Sequence, residues 1–480
     1  MEQYDLVVIG SSWAGIYAAK TAVQLQARVA LVTHSDRPYL ADDTLLISSL
    51  QQLGQEYQRL QDDFWSPSQT SVPATFWTQA SDWLEEVEQT AIEINSLASL
   101  AALGVDIIVG KGEFHRLPQL GLQVGKRNLR SRHFLLATGS NFLPDLGDAT
   151  GDYLTLRDLK GQNLVNLPSE IIVVASDPIG LALAQSLARL GKKITLVVKH
   201  SRILPQEDSD ISRLLHAQLE AEGIEIFTKA PINQIKVIAG QKWLQAGDRA
   251  LSAPEIILAD YYQPNIQDLN LAGVEVKYNQ QRIYVNRKLQ TTNPRIYACG
   301  DLIGGYHLPS IARYEVNLIL KNTLFLPWYK TNYQTIPWAI LTQPNLARVG
   351  LNQWQAQQQN ITDVYVIQES FSELMPAQIT NQITGICKLL VNRQGRIIGC
   401  SIFGDRAAEL IVIPALMMQQ KIKLDANPMR GLTTTSLPVI APSLAEILVA
   451  AQQSFYQQKL QDNPQLIKRL RTWLALMNPK

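Results

Sequence analysis

Apolar and turn-forming residues alternate at the start of the chain in the order of a strand, a helix and a second strand. An apolar run over 6–9 leads into Gly10 and Gly15, which are followed by a helical pattern and a second apolar run over 29–32. This order opens a doubly wound, mostly parallel sheet. It recurs over 171–198, so the sequence predicts an α/β fold with two dinucleotide-binding modules.

The segments between and after these modules follow other patterns. A stretch rich in Gln, Ser and Pro over 51–76 predicts a loop or a loosely packed insert, and a helical pattern over 76–103 ends at Gly104. Beyond about residue 336, short strands alternate with helices, which is typical of an α+β domain. A proline at its start and helical spacing of its apolar residues predict a final helix over 464–477.

Composition and charge narrow the classes of function. The 480 residues hold 43 basic and 42 acidic side chains, a net charge of +1, so no electrostatic argument favours nucleic acid as the main partner. Three cysteines cannot build the disulfide framework of a secreted protein. The first apolar run lacks a preceding basic region and no apolar stretch reaches ~18 residues, so we expect no signal peptide and no membrane span. A cytoplasmic location follows as the expectation.

The turn after the first strand carries most of a dinucleotide-binding motif. Residues 10–15 read Gly-Ser-Ser-Trp-Ala-Gly, whereas the motif has glycine at its first, third and sixth places. Ser12 takes the third place, where glycine lets the backbone approach the pyrophosphate. Serine is small and can donate a hydrogen bond, so the site is weakened and not closed. Alone, this turn is equally typical of any strand–turn–helix junction.

Three further segments strengthen the interpretation. They read Leu-Leu-Ala-Thr-Gly-Ser over 135–140, Gly-Lys-Gly-Glu-Phe over 110–114, and Thr-Asn-Pro-Arg-Ile-Tyr-Ala-Cys-Gly-Asp over 292–301 with Leu-Pro-Ser-Ile-Ala over 308–312. In this order and spacing they resemble the FAD-binding segments of the pyridine nucleotide-disulfide oxidoreductases, the family of dihydrolipoamide dehydrogenase, glutathione reductase and mercuric reductase. The run over 336–350 resembles the start of that family's dimerisation domain.

The resemblance covers about residues 4–450 and implies a domain organisation. It implies two doubly wound domains and an α+β dimerisation domain, and hence a homodimer formed through the C-terminal domain. The implied bounds are 1–150 and 286–335 for the FAD-binding domain, 151–285 for an NAD(P)-binding-like domain, 336–450 for the dimerisation domain and 451–480 for a C-terminal helical extension.

The resemblance also implies roles around FAD. The first turn would hold the pyrophosphate, Gly112 would lie against adenine, and Asp301 would accept hydrogen bonds from the flavin side chain, although an Asp in this place is also a common turn residue. Thr33 stands where the family has an acid for the ribose, and its neutral hydrogen bond would cost about tenfold in affinity. The candidate cofactor-binding residues are Gly10, Ser12, Trp13, Ala14, Gly15, Thr33, Gly112, Ala137, Thr138, Gly139, Asp301, Leu308 and Pro309.

The residues that carry the family's chemistry are missing. The family passes electrons from nicotinamide through flavin to a cysteine pair after the second strand, but the first cysteine here is Cys299. The family's acid–base histidine belongs to the dimerisation domain, where this chain has Ala441 before Pro442 and Glu446, and its last histidine is His307. Thiolate and imidazole make this chemistry run near neutral pH. We therefore expect no disulfide reductase activity and no catalytic residue of the family type.

The turn of the second module departs further from the motif. Residues 175–180 read Ala-Ser-Asp-Pro-Ile-Gly, so only the last glycine remains. Asp177 stands where backbone should meet the NAD(P) pyrophosphate, and a carboxylate ~4 Å from a phosphate repels it by several kcal/mol. Asp at the N-cap and Pro178 at the first helical position also make a favourable helix start. Lys199 and Arg202 could favour the 2′-phosphate of NADP or be surface charge, but we expect no NAD(P) binding in the family manner.

The final helix is an addition to the family pattern. Its apolar residues share one face, and Lys468, Arg469 and Arg471 lie on the other side. The pattern is compatible with docking onto its own chain or dimer, and with contact to a partner or a membrane surface. The apolar positions are Leu466, Ile467, Leu470, Trp473, Leu474 and Met477.

The other chemically active side chains do not form a recognisable site. Cys387 and Cys400 fall on separate predicted strands and could face each other, but two buried thiols are a simpler interpretation than a redox pair. The histidines show no metal spacing, so we expect no metal site.

Two hypotheses follow for the function. The first is a homodimeric flavoprotein that keeps FAD, lacks the dithiol relay and the usual nicotinamide site, and performs flavin-only electron transfer. The second is a pseudoenzyme that uses the dimeric fold as a scaffold or a partner-binding protein.

Overall fold

A computed structural model describes residues 3–34, 43–62, 74–142, 152–159, 162–259, 262–305, 307–424 and 438–477. The chain divides into two compact units. Unit 1 comprises Met1–Ile203 and Leu219–Thr331, and unit 2 comprises Leu204–Gln218 and Asn332–Lys480.

Unit 1 contains two strand–helix–strand segments, over 4–33 and 170–197, and longer runs of strands further along the chain. Its strands are β1 (Tyr4–Ile9), β2 (Val29–Thr33), β3 (Asp106–Val109), β4 (Gly112–His115), β5 (Gly121–Val124), β6 (Arg127–Leu129), β7 (Ser131–Leu136), β8 (Ser140–Phe142), β9 (Leu154–Thr155), β10 (Glu170–Val174), β11 (Lys193–Val197), β12 (Glu225–Phe227), β13 (Ile232–Ile238), β14 (Gln241–Ala246), β15 (Arg249–Ala253), β16 (Glu255–Leu258), β17 (Tyr262–Pro264) and β18 (Ile296–Ala298). Its helices are α1 (Trp13–Gln24), α2 (Asp43–Asp62), α3 (Ala74–Ile94), α4 (Leu97–Ala102), α5 (Gln162–Val165), α6 (Pro178–Arg189) and α8 (Pro309–Leu320). The helix α7 (Ser209–Ala221) lies between α6 and α8 in the chain and starts in unit 2.

Two parallel sheets form the centre of unit 1. The first has the order β18-β7-β1-β2-β3, and the second has the order β12-β11-β10-β16-β9. In the first sheet Leu6 pairs with Val29 on one side and with His133 on the other. The central strands are nearly continuous apolar runs because both faces of such a sheet are covered. The chain returns to the first sheet at β18, which pairs with β7.

Antiparallel strands complete unit 1. They form the sheets β4-β5-β6 and β13-β14-β15 and the pair β17-β8, in which Tyr262 lies opposite Phe142 and Pro264 opposite Ser140. The pairing of β17 with β8 matters for the site, because it joins the segment after β7 to a strand more than a hundred residues further along the chain.

Two predictions about the segment before β3 were wrong. Residues 51–62 are not a loop but the second half of α2, which packs on α6: the side-chain amide of Gln51 donates to the carbonyl of Ala182 at 3.1 Å. Glutamine has a good helix propensity, so a Gln-rich stretch is a weak loop signal. The predicted helix over 76–103 is two helices, since Ser96 caps α4 by accepting the N–H of Ser99. Its predicted end at Gly104 is confirmed by a φ of +99°.

Unit 2 is built on one antiparallel sheet with helices against it. The sheet has the order β19-β20-β23-β22-β21, and its apolar core includes Ile367, Cys387, Ile402 and Phe455. The strands are β19 (Trp338–Ile340), β20 (Asn345–Gly350), β21 (Val364–Ser370), β22 (Ile386–Asn392) and β23 (Ile397–Gly404). The helices are α9 (Gln353–Gln358), α10 (Met375–Ile379), α11 (Ala407–Leu410), α12 (Val412–Gln419), α13 (Glu446–Gln461) and α14 (Pro464–Met477). The α+β texture and the final helix predicted for this part of the chain are confirmed.

A buried charge cluster holds residues 204–218 within unit 2. The Lys388 ammonium, 3% exposed, lies 3.3 Å from Asp208 and also pairs with Asp210. Close by in the chain, the Arg348 guanidinium lies 3.0 Å from the fully buried Glu207 carboxylate. A buried charge is tolerated only when it is paired and hydrogen-bonded, so these pairs specify how this segment is held.

Candidate cofactor site

The first candidate crevice opens where β1 and β7 end. Gly10 adopts a φ of +107°, and a Cβ on it would lie 2.4 Å from the carbonyl oxygen of Ala137. A Cβ on Gly15 would lie 2.0 Å from the carbonyl oxygen of Gly10. Both glycines are therefore required by the turn itself, which brings the start of α1 against the end of β7.

Ser12 replaces the middle glycine and caps α1. Its Oγ donates to the carbonyl of Ala137 at 2.6 Å and accepts the N–H of Gly15 at 3.3 Å. The Ser12 side chain is therefore hydrogen-bonded within the protein. The N–H groups of Trp13 and Ala14 belong to the first turn of α1, and the N–H groups of a first turn have no acceptor within the helix. The positive end of the α1 dipole and these N–H groups suit an anionic phosphate.

Thr33, at the end of β2, is buried and hydrogen-bonded within the protein. It is 1% exposed, and its Oγ1 lies 2.8 Å from the Oγ of Ser11. A hydroxyl pair therefore occupies the end of the strand at which the family resemblance implies an acid.

The segment after β7 is hydrogen-bonded to Asn265, the residue that directly follows β17. The Thr138 hydroxyl donates to the carbonyl of Asn265, and the carbonyl of Gly139 accepts the N–H of Asn265 at 2.9 Å. Gly139 has a φ of +71°, and the nearest atom to a Cβ built on it is the Cβ of Ser12, 3.7 Å away. Gly139 and Ser12 are therefore neighbours across the turn.

Asp301 lies at the centre of a polar group that the sequence does not reveal. Its Oδ2 accepts the Ser140 hydroxyl at 3.0 Å, and its Oδ1 lies 3.0 Å from Nδ1 of His307, whose ring stacks on Tyr262 with centroids 4.0 Å apart. Burial acts to raise the pKa of Asp301, but the contacts with His307 and Ser140 and the charge of Arg157 outweigh it and lower that pKa. Asp301 is therefore an ionised acceptor, and its side chain is 35% exposed.

Sequence reasoning missed Ser140, Tyr262 and His307 as parts of this group. Ser140 is separated from Asp301 by 161 residues, and no local pattern links two residues so far apart. The parallel pairing of β18 with β7 brings the segments that carry Asp301 and Ser140 together, and the pairing of β17 with β8 adds Tyr262. Residues 261–265 read Tyr-Tyr-Gln-Pro-Asn, and this local pattern does not show which residues Tyr262 contacts.

The other candidate residues lie around this framework. Leu308 is 9% exposed and immediately precedes α8, and Pro309 is its first residue, where a missing N–H is tolerated. Gly112 starts β4 in the separate sheet β4-β5-β6, and a Cβ on it would lie 3.1 Å from the Leu122 side chain. The start of the segment after β18 is fixed by the N–H of Gly300, which donates to the buried Glu315 carboxylate at 2.7 Å.

The second module presents a different helix start. Asp177 is the N-cap of α6, and its Oδ1 accepts the N–H of Gly180 at 2.9 Å, with Pro178 at the first helical position. A Cβ on Gly180 would lie 2.3 Å from the Cβ of Ala175, so this glycine is needed for packing. The predicted cap is confirmed: the carboxylate satisfies the helix N-terminus that would otherwise be open to an anion.

The three cysteines are buried thiols. Cys299, at the end of β18, is 2% exposed, and burial raises the pKa of its thiol well above the usual value. Cys387 and Cys400 are fully buried on neighbouring strands, and a hydrogen bond to Cys387, reinforced by burial, raises the pKa of Cys400. A thiol held protonated in an apolar core is a poor nucleophile.

Within the described ranges, no group of three or more His, Cys, Asp or Glu side chains could hold a metal ion. Among the same residues, no helix is both long and apolar enough to cross a bilayer.

Two doubly wound sheets, each with a strand–turn–helix start, and an antiparallel domain that follows them in the chain define a protein with two modules of the dinucleotide-binding type of fold. The family described as pyridine nucleotide-disulphide oxidoreductase matches residues 4–317, and its dimerisation domain matches residues 336–450. The chain belongs to the pyridine nucleotide-disulphide oxidoreductase family.

Individual relatives agree with this assignment. The chain is 27% identical to a mercuric reductase of Staphylococcus aureus over 462 residues, which are 94% of this chain and 82% of the relative. It is 30% identical to a dihydrolipoyl dehydrogenase of Bacillus subtilis over 330 residues, 68% of this chain and 71% of that one. Among solved structures, the Cu(II) complex of the HOCl-induced flavoprotein disulfide reductase RclA of Escherichia coli aligns with a TM-score of 0.76 at 22% identity, covering 95% of this chain and 100% of the other. The last comparison supports the fold alone.

Proposed function

We propose that this protein is a homodimeric FAD-binding flavoprotein that lacks the dithiol relay of its family and transfers electrons through flavin alone. The observation that carries the proposal is the contrast between two kinds of position. The first turn of α1 keeps a capped, glycine-containing helix start, and the pKa of the nearby Asp301 is lowered by His307 and Ser140, whereas residues 1–298 contain no cysteine.

The donors and acceptors of the crevice fit FAD. The Trp13 and Ala14 N–H groups would bind the pyrophosphate, and the exposed part of the Asp301 carboxylate would accept hydrogen bonds from the flavin side chain. Gly139, which lies next to Ser12, would allow the cofactor to approach the backbone, and Leu308 and Pro309 would border the ring. Thr33, Gly112, Ala137 and Thr138 complete the proposed contacts. FAD, when bound, supplies one- and two-electron transfer.

We infer that the dithiol relay is absent because neither a cysteine pair nor an acid–base histidine stands where the relay would need them. Cys299 follows β18 and is buried with a raised thiol pKa, and no cysteine lies in α2, which follows the second strand. In the dimerisation domain Ala441 stands in the place of the acid–base histidine. Glu446 accepts the backbone N–H of Ser443 at 2.8 Å, so it serves its own helix start.

NAD(P) would not bind the second module in the family manner. The Asp177 carboxylate sits on the helix N-terminus that a pyrophosphate would use, 2.9 Å from the N–H of Gly180. Binding of a dinucleotide there would place like charges together and displace a formed hydrogen bond. Electrons would therefore have to reach the flavin from a small donor at the first crevice.

A second candidate function is that of a non-catalytic scaffold. It is favoured by the simultaneous change of the cysteine pair, the histidine and the second turn, while the family's packing elements remain. In both versions the homodimer would form through residues 336–450, the protein would be cytoplasmic, and α14 would contact a surface outside its own protomer.

The experiment that tests the flavoprotein proposal is a measurement of bound flavin. The purified protein should be yellow, and heat or acid should release FAD in about one equivalent per chain. An Asp301→Asn variant should lose flavin on gel filtration, whereas Asp248→Asn, a matched loss of one exposed charge in the β14–β15 turn, should not. A colourless wild-type protein that also refuses added FAD would favour the scaffold.

Rapid mixing of the flavin-loaded protein with NADH or NADPH tests the second half of the proposal. We expect the flavin absorbance to persist over seconds, because no site brings nicotinamide to the ring. Bleaching within milliseconds by either nucleotide would contradict the proposed loss of the nicotinamide site. A disulfide reductase assay with lipoamide or oxidised glutathione should give no thiol.

A further inference from the structure

We propose that α14 binds the surface of an anionic lipid bilayer and lies in the plane of the interface. This inference rests on the proposed contact of α14 with a surface outside its protomer, and it does not depend on the flavin. Charge, the arrangement of residues around the helix axis, and exposure each support it.

The charge of α14 differs from that of the chain around it. Residues 464–477 contain Lys468, Arg469 and Arg471 and no acidic residue, whereas the whole chain has a net charge of +1. The preceding helix α13 has Glu446 and Lys459, which balance. A local charge of three cations is attracted to anionic lipid headgroups, with about fivefold in partitioning for each cation close to the surface.

The positions around the helix axis suit an interface between water and hydrocarbon. With 3.6 residues per turn, positions 466, 467, 470, 473, 474 and 477 share a face about 120° wide. Arg469 and Arg471 fall about 40° beyond its two edges, and Lys468 and Thr472 lie opposite. Long basic side chains at the edges of an apolar face can reach the headgroups while their stems contact the acyl chains.

The apolar side chains in the second half of α14 are exposed in the protomer, whereas Ile467 near its start is half-buried. Trp473 is 40% exposed, Leu474 is 50% exposed and Met477 is 63% exposed. In α13, by contrast, Ile447 and Phe455 are at most 1% exposed and belong to the core of unit 2. The apolar side chains of α13 are thus buried, whereas those in the second half of α14 are exposed to solvent. Tryptophan, which α14 exposes, is enriched at membrane interfaces.

The length of α14 excludes spanning and favours an in-plane position. Its 14 residues extend about 21 Å, whereas a bilayer's hydrocarbon core is about 30 Å thick. The helix also continues from a fixed start, because the N–H of Ile467 donates to the carbonyl of Asn463 at 3.2 Å and Asp462 contacts the hydroxyl of Tyr365 on β21. A homodimer would carry two such helices and bind a vesicle bivalently.

The test is flotation of the full-length protein with vesicles. One set of vesicles is made of phosphatidylcholine, and a second contains phosphatidylglycerol as about one third of the lipid. We expect binding to the second set only, weakened by added salt because exposed charges are screened. Binding to both sets alike, or to neither, would overturn the proposal.

Three variants separate the causes. Replacing Lys468, Arg469 and Arg471 by Gln should weaken binding to anionic vesicles about a hundredfold, or about fivefold for each cation. Trp473→Ser with Leu474→Ser should also abolish flotation, since charge alone would not insert the helix. The matched control replaces three exposed cations of unit 2 elsewhere by Gln and should bind as the wild type does: Arg396, Lys421 and Lys423.

Sedimentation, which reports the oligomeric state, and flavin content distinguish lipid binding by α14 from dimerisation through α14 and from a failure of the flavoprotein proposal. If truncation after Asn463 converts a dimer to a monomer, the apolar face is covered by a second copy, and the bilayer proposal is refuted. If the charge variant floats as well as the wild type, it is refuted as well. A colourless protein that still binds anionic vesicles would refute the flavoprotein proposal and leave this one standing, and thermal unfolding of each variant excludes misfolding.

Discussion

Replacing Asp177 tests whether one carboxylate closes the second module to nucleotides. In the wild type, the N–H of Gly180 donates to the Asp177 carboxylate at 2.9 Å. Asp177→Ala removes both the charge and this cap of α6, whereas Asp177→Asn removes the charge and keeps an oxygen that can accept the same N–H. The pair of variants therefore separates electrostatic repulsion from helix capping.

The magnitudes follow from the structure. Loss of an N-cap acid to Ala costs about 1 kcal/mol, and because Asn and Asp cap almost equally well, Asn should cost only a few tenths. Two like charges ~4 Å apart repel by about 4 kcal/mol at an effective dielectric of 20. Asp177 is half-buried and screened by water and salt, so we expect NADH affinity to rise about ten- to a hundredfold in both variants.

The assay is a fluorescence titration with NADH, repeated with ADP-ribose, together with thermal unfolding. We expect Asp177→Asn to gain affinity at nearly wild-type stability, and Asp177→Ala to gain affinity with a lower unfolding temperature. Asp248→Asn, which removes an exposed charge from the β14–β15 turn of the separate antiparallel sheet, should change neither quantity. An unchanged affinity in Asp177→Asn would refute the argument that the charge blocks the site, as would tight NADH binding by the wild type.

Three further predictions address stability and the first crevice. Lys388→Met should destabilise the protein by about 3–5 kcal/mol in urea unfolding, because it leaves Asp208 buried without its cation, and a smaller loss than about 1 kcal/mol would contradict this. Burial and the hydrogen bond to Asp106 raise the pKa of Tyr4 to about 12, so the protonated phenol stabilises the fold fully below its unfolded pKa of about 10, and this contribution is lost as pH rises towards 12. Tyr4→Phe should therefore remove the fall of the unfolding free energy between about pH 10 and 12. The same fall in the variant and the wild type would argue against this assignment. Asp301→Asn should weaken FAD binding about tenfold or more, measured by flavin retention, since a charged hydrogen bond becomes a neutral one, and full retention would exclude the proposed contact.

Local chemistry made much of the fold predictable. The strand–turn–helix starts at Gly10 and Asp177 were readable because a turn with positive φ needs glycine and a helix start favours a capping acid followed by proline. The loop predicted for 51–76 failed in its described part because composition is a weaker signal than packing, and α2 is stabilised by contacts with α6 that no local pattern contains.

The sequence by itself determined the two strand–turn–helix starts at Gly10 and Asp177, the absence of cysteine before Cys299 and the amphipathic final helix, because each depends on neighbouring residues or on plain composition. The tertiary structure alone decided that Ser140 and His307 surround Asp301, that Thr33 is buried against Ser11, and which apolar helix faces are covered. These outcomes depend on strand pairing and packing between residues far apart in the chain, which local periodicity does not encode.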